Sequence, residues 1–135
     1  MAAINTTLQL AKVRSQIDAQ QQIISQLEMQ MAIVMLGKTG SVKSIVDDIQ
    51  GIYDGVTGGS YLGASFEKGV QSYVSDKYGS YLDLDTEQDE QDVVRHMLST
   101  ARALLGELRI QEQGYVQEVN SEKDSRKALI DFAKG

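Results

Sequence analysis

Between residues 10 and 34, apolar side chains recur at alternating steps of three and four: Leu10, Val13, Ile17, Ile24, Leu27, Met31 and Val34. Gln20 is the single polar residue on that stripe. A seam this narrow belongs to a helix that packs on another helix, because in isolation it has nothing to bury itself against. The spacing predicts a helix over about 6–36, started at Asn5 or Thr6, either of which can cap the free amides of a first turn. Gly37 and Gly40 then stop it as left-handed caps. Its flanks carry glutamine at 9, 16, 20, 21, 22, 26 and 30 with few charges, a face suited to several packing neighbours rather than to bulk water alone.

The pattern changes after residue 40. Val42, Ile45, Val46, Ile49 and Ile52 or Tyr53 repeat at three and four, which predicts a short helix over 41–53. Asp54 to Ser60 contains three glycines and reads as a loop tip, the most flexible stretch of the chain. Phe66, Val70, Tyr73, Val74 and Tyr78 share one side of a further short helix over 62–78, weakened by Gly69 in its middle at about 1 kcal/mol relative to alanine. A turn at 78–81 follows, with Tyr81 and Leu84 tucked back. From Asp85 or Thr86 one helix should continue to about 133, with Val94, Met97, Ala101, Leu104, Leu108 and Tyr115 on its stripe and Val93, Leu98 and Leu105 widening it. Beyond Val116 and Val119 the seam thins, and the wholly polar run 120–127 predicts a break or frayed turn before Leu129, Ile130 and Phe132.

These elements predict an all-α single domain spanning 1–135. Two long helices, about 6–36 and 86–133 and roughly 45 and 70 Å long at 1.5 Å per residue, form an elongated bundle from 1–36 and 86–135. A small helical appendage (41–81) is inserted between them within 37–85. The absence of proline from all 135 residues agrees with long unbroken helices.

Charge removes several functions. Nineteen acids against thirteen Lys and Arg give a net charge of −6, and the bases form no stripe, so the chain lacks the basic face that nucleic acid or an anionic membrane demands. Without cysteine there is no disulfide, thiolate metal site or thiol nucleophile. The most apolar run, Met29 to Leu36, is too short to span a membrane. The N-terminus lacks the charged and apolar regions of a secretory signal, which implies either a protein not exported by that route or a mature form with an added Met.

Candidate chemistry is sparse. Gly37-Lys38-Thr39 matches the end of a phosphate loop, but Ala32 stands where its first glycine belongs and a helix precedes it; the triplet reads as a helix stop. Asp83, Asp85, Glu87, Asp89, Glu90 and Asp92 have the spacing of a calcium loop at their start, yet Gln88 and Val94 replace the required glycine and glutamate; initiation of the last helix is the simpler reading, with weak cation binding left open. His96, the only histidine, lies beside the apolar stripe with no nucleophile near it in sequence. Tyr53, Tyr61, Tyr73, Tyr78 and Tyr81 gather in the appendage, either as its own mini-core or as an adhesive patch, with Tyr61 the most exposed. The contact candidates there are Tyr53, Tyr61, Tyr78 and Tyr81. Gln20, with Gln111 as partner, is either a register-setting polar pair or a residue facing solvent where the helices diverge. No cofactor or catalytic residue is indicated.

The glutamine-rich helix with Gln20-Gln21-Gln22-Ile23-Ile24-Ser25-Gln26-Leu27, the segment from Phe66 to Tyr78-Gly79-Ser80-Tyr81, and the long helix from Met97 to Gln113 resemble the minor pilins of type IV secretion and conjugation systems. Members of that family are secreted to the periplasm through a signal peptide and are usually longer, so the resemblance implies a mature or compact version. It also implies an elongated three-helix bundle with a helical appendage, no enzymatic activity, and a place at the pilus tip that serves assembly and contact with recipient cells. Its partners would be the major pilin or other secretion components, in homo- or hetero-oligomers located in the periplasm or on the extracellular pilus. The alternative from the residues alone is a phage virion component, internal, tail or connector, that self-associates through its helices in the host cytoplasm. In both cases the interface is expected on Leu10, Val13, Ile17, Gln20, Ile24, Leu27, Met31 and Val34.

Overall fold

A computed structural model describes residues 2–35 and 42–134. The chain is all-α: α1 (Ala2–Met35), α2 (Val42–Asp54), α3 (Gly59–Tyr78), a 3-10 turn (Tyr81–Asp83) and α4 (Glu87–Lys134). Helix α1 already includes Asn5 and Thr6, which corrects the expectation that one of them caps its start. The expected end near residue 36, the Gly37 and Gly40 stop and the Gly37-Lys38-Thr39 triplet lie outside the described residues, as does the side chain of Val34.

The helices run up, down, up and down. Gln16 and Gln20 of α1 reach Thr57 and Tyr53 at the end of α2. Gln50 of α2 reaches Gly63 of α3, and Tyr73 and Tyr78 of α3 reach Asp92 near the start of α4. Arg14 meets Glu112 across the antiparallel α1–α4 pair. Because α2 and α3 are short, the result has two parts. One end is a four-helix bundle; the other is a two-helix stalk of α1 and α4.

The two expected long helices and the short helices inserted between them are present, and the inserted pair packs onto the long ones. Val42, Ile45, Val46 and Ile49 of α2 and Leu62, Phe66, Val70 and Val74 of α3 share one contiguous core with Ile23 and Leu27 of α1 and Val93 to Leu108 of α4. A lone α1–α4 pair would expose half of each stripe; two further helices cover it. Each large apolar side chain so covered contributes about 1.5–3 kcal/mol.

The same geometry changes which residues of α1 are inside. Leu10, Val13, Ile17, Gln20 and Leu27 are buried as the seam predicts, but Ile23 is fully buried while Ile24 and Met31 are only partly so. With α4 on one side and α2 on the other, the buried arc of α1 is wider than a two-helix seam. It takes in Gln16, Ala19 and Ile23 as well.

The predicted loop tip shrinks to the turn 55–58, since α3 already begins at Gly59. Gly58 has φ +74°, a conformation that favours glycine, and a Cβ there would also push aside the ends of the Gln16 and Lys12 side chains, which stand 2.5 and 2.7 Å from its place. Gly69, expected simply to weaken α3, lies where that helix approaches α4: its Cβ would meet Thr100 Cγ2 at 3.2 Å.

At the start of α4, Asp89 N–H donates to Thr86 Oγ1 at 3.1 Å while Thr86 N–H donates back to Asp89 Oδ2 at 3.3 Å. This is a reciprocal capping box, with Asp in place of the usual Glu. It explains part of the acidic run as helix initiation. No group of three or more acidic or histidine side chains among the described residues could hold a metal ion.

Helix α4 does not break at 120–127. Glu122, Lys123, Arg126 and Lys127 favour the helix, Glu122 and Arg126 stand at i,i+4, and no glycine or proline occurs from Tyr115 to Lys134. What the polar run marks is the end of burial: every residue from Lys123 to Lys134 is exposed.

Candidate functional site

Three places concentrate polar or exposed chemistry. The first is the heart of the bundle. Gln20 is fully buried; its Nε2 donates to the Ala101 carbonyl of α4 at 2.9 Å, and its Oε1 accepts from Tyr53 Oη of α2 at 2.8 Å. The break in the heptad is thus a three-helix junction. Burial pushes the Tyr53 phenol up to about 12, partly offset by the bond to Gln20. Tyr53 itself is 1 % exposed and tilts against Phe66 with ring centroids 6.0 Å apart. It cannot be a surface contact, so the expectation for that tyrosine is corrected: its ring volume fills the shared core. Gln111 is not the partner of Gln20. It is exposed and lines a surface crevice.

The second place joins α3 to α4. One oxygen of Asp92 accepts from Tyr73 Oη at 2.6 Å, Tyr78 Oη at 2.6 Å and Lys77 Nζ at 2.8 Å. Burial would raise the Asp92 carboxyl, but donation from Lys77, Tyr73 and Tyr78 outweighs it and holds the group at about 2. The same bonds act in reverse on the donors. The hydrogen bond to Asp92 pushes Tyr78 up to about 12 and raises Lys77 above its ordinary value. His96 stacks on Tyr73 at 4.0 Å and 8° between planes. Tyr78 therefore serves as a partly buried clamp, and His96 as a packing partner at the edge of the core. Tyr81 is also half-buried, under Lys43 Nζ at 5.7 Å, and burial raises its phenol.

The third is outward-facing. Tyr61 is 75 % exposed, as expected, and opens onto a crevice of about 310 Å³ where bundle meets stalk, lined also by Lys12, Gln16, Ser60, Gln111 and Tyr115. Farther along the stalk, Leu129, Ile130 and Phe132 are 69, 53 and 85 % exposed. At the opposite pole Leu82 is 94 % exposed.

The Asp92 knot went unread in the sequence. Its signal was the i,i+4 and i,i+5 spacing of Tyr73, Lys77 and Tyr78, which puts three donors on one patch of α3 opposite a single acid. The chemistry here is adhesive: apart from the buried Tyr81 hydroxyl, which has no hydrogen-bond partner among the described residues, the donors and acceptors of the first two places join helices, and the apolar residues of the third are left outside. Among the described residues no helix is long and apolar enough to cross a membrane. Set against protein-family models, curated proteins and solved structures, the chain matches none of them.

Proposed function

We propose that this chain is a non-enzymatic structural subunit of a larger helical assembly, and that the assembly is a type IV secretion or conjugative pilus with the subunit at its tip. The observation that carries the structural role is the apolar stripe of α4. It continues at steps of seven through Val94, Ala101, Leu108 and Tyr115 and then, after Glu122, to Leu129, where nothing among the described residues covers it. Large apolar side chains left exposed together on an ordered helix are a feature of interaction surfaces. The pilus assignment draws support from the resemblance of the glutamine-rich α1, the Phe66–Tyr81 segment and the long closing helix to minor pilins. On this reading Tyr61, on the open side of the bundle, contributes to contact, and the major pilin or another secretion component is the partner, outside the cell or in the periplasm.

The test is to tag the chain in its native cell, purify the pili and locate the tag. Enrichment at the tips, together with loss of conjugation on deletion, is the expected result. Recovery in virus particles instead would replace this assignment with the virion reading.

A further inference from the structure

Register places the stalk tip beyond the reach of α1. Arg14 is paired with Glu112. Twelve residues back from Arg14 is Ala2, and twelve forward from Glu112 is Asp124, so α4 outruns the described part of α1 from about Ser125. This overhang, 125–134, presents Leu129, Ile130 and Phe132, and its Arg126, Lys127 and Lys134 against Asp131 make it +2 on a chain of −6.

The other pole of the molecule is its complement. There the 3-10 turn before α4 projects Leu82 almost wholly into solvent, among Asp83, Asp85 and Glu87, all exposed. Two overhangs brought together would repel through like charge, and an overhang against the acidic pole would not. At 48 residues, α4 separates the two poles by about 70 Å, too far for both to meet within one chain.

We infer that the basic, apolar stalk tip of one copy docks on the acidic Leu82 pole of a second copy, head to tail. The occupant is a second copy because the chain itself carries the matching charge and an exposed apolar anchor. Such a contact is heterologous and leaves a free end at each side, so it grows into open chains. A contact resting on Leu82, Leu129, Ile130 and Phe132 is small beside the roughly 1,200–2,000 Å² of stable complexes, so it should be weak and concentration-dependent. Salt weakens it further by screening the charges. This inference stands apart from the pilus assignment and can survive its failure.

The test is sedimentation of the whole chain over a concentration series. The wild type should form dimers and longer species that recede at high salt. Phe132→Asp and Leu82→Asp should each raise the concentration needed for half-association by about tenfold or more, while circular dichroism melts stay unchanged because both positions are exposed. Mixing these two variants should restore association but stop it at the dimer, since each protein retains one intact pole. In a chain without cysteine, Leu82→Cys and Phe132→Cys proteins should cross-link to each other faster than either does to itself. A wild type that stays monomeric at millimolar concentration overturns the inference, as does a Leu82→Asp protein that associates like wild type. Pelleting of the monomer with phosphatidylserine vesicles, lost in Phe132→Asp, would assign the tip to membrane and overturn it too.

Discussion

The amide of Gln20 and the phenol of Tyr53 meet at 2.8 Å in a place where neither side chain reaches water. Each satisfies the other, and Gln20 closes the arrangement on the Ala101 carbonyl. Removing one partner strands the other: Gln20→Ala should cost about 2–4 kcal/mol through the unpaired phenol and the void, and Tyr53→Phe about 1–2 kcal/mol. The combination Gln20→Leu with Tyr53→Phe should cost less than the sum of its single changes, measured by urea unfolding in a double-mutant cycle. Additivity of the two would show that the bond contributes nothing.

Asp92 makes stability depend on acid. Its carboxyl is held at about 2 against an ordinary 3.8, so folded protein binds this proton more weakly than unfolded protein does. The contribution is full above about pH 4 and disappears as pH falls toward 2; it is on the order of 2 kcal/mol at neutral pH. Thermal melts between pH 5 and pH 2 should fall less steeply for Asp92→Asn than for wild type. Identical slopes would remove Asp92 from the acid response.

Neighbouring isoleucine and leucine positions on α1 should part company. Leu27 is fully buried and Ile24 is not. An aspartate at 27 places a charge among apolar side chains and should cost about 4 kcal/mol or more, enough to unfold a marginal domain. Ile24→Asp should remain folded with a lowered melting temperature. If both unfold equally, α1 is packed as a symmetric two-helix seam and the wide arc described above is wrong.

Hydrogen exchange should divide α4. Amides between Val93 and Leu108, whose side chains line the core, should exchange only through global opening. Amides from Ser125 onward should exchange orders of magnitude faster in dilute solution, because no neighbouring helix protects them. Uniform protection along the helix in a dilute monomer would contradict a free overhang.

Periodicity alone placed the helices well, because the signal for a long amphipathic helix is local and repeated. The α1 stripe and the Val94-to-Tyr115 stripe are visible to anyone counting in threes and fours. What periodicity could not report is how many neighbours a stripe has. Ile23 and Ile24 are equally apolar, and only the arrival of α2 decides which one is buried. Gln20 stood out as an anomaly, but its partners lie 33 and 81 residues away, on helices whose registry no local pattern fixes. The Asp92 knot was hidden for the same reason: three donors on α3 look like a solvated face until α4 is laid against them.

The buried amide has a consequence for how the chain reaches its fold. Early in folding α1 and α4 can pair one turn out of step, since Leu10, Val13, Ile17 and Leu27 would still land among Val94, Ala101 and Leu108. Such a pairing takes Gln20 off the Ala101 carbonyl of α4 and, where α2 keeps its place against α4, also parts it from Tyr53, at about 1–3 kcal/mol for each stranded group. That penalty empties the misaligned traps and keeps the landscape smooth. Replacing the pair by Leu and Phe would leave the final structure nearly as stable but remove the discrimination, and the refolding arm of its chevron should roll over at low denaturant where wild type stays linear.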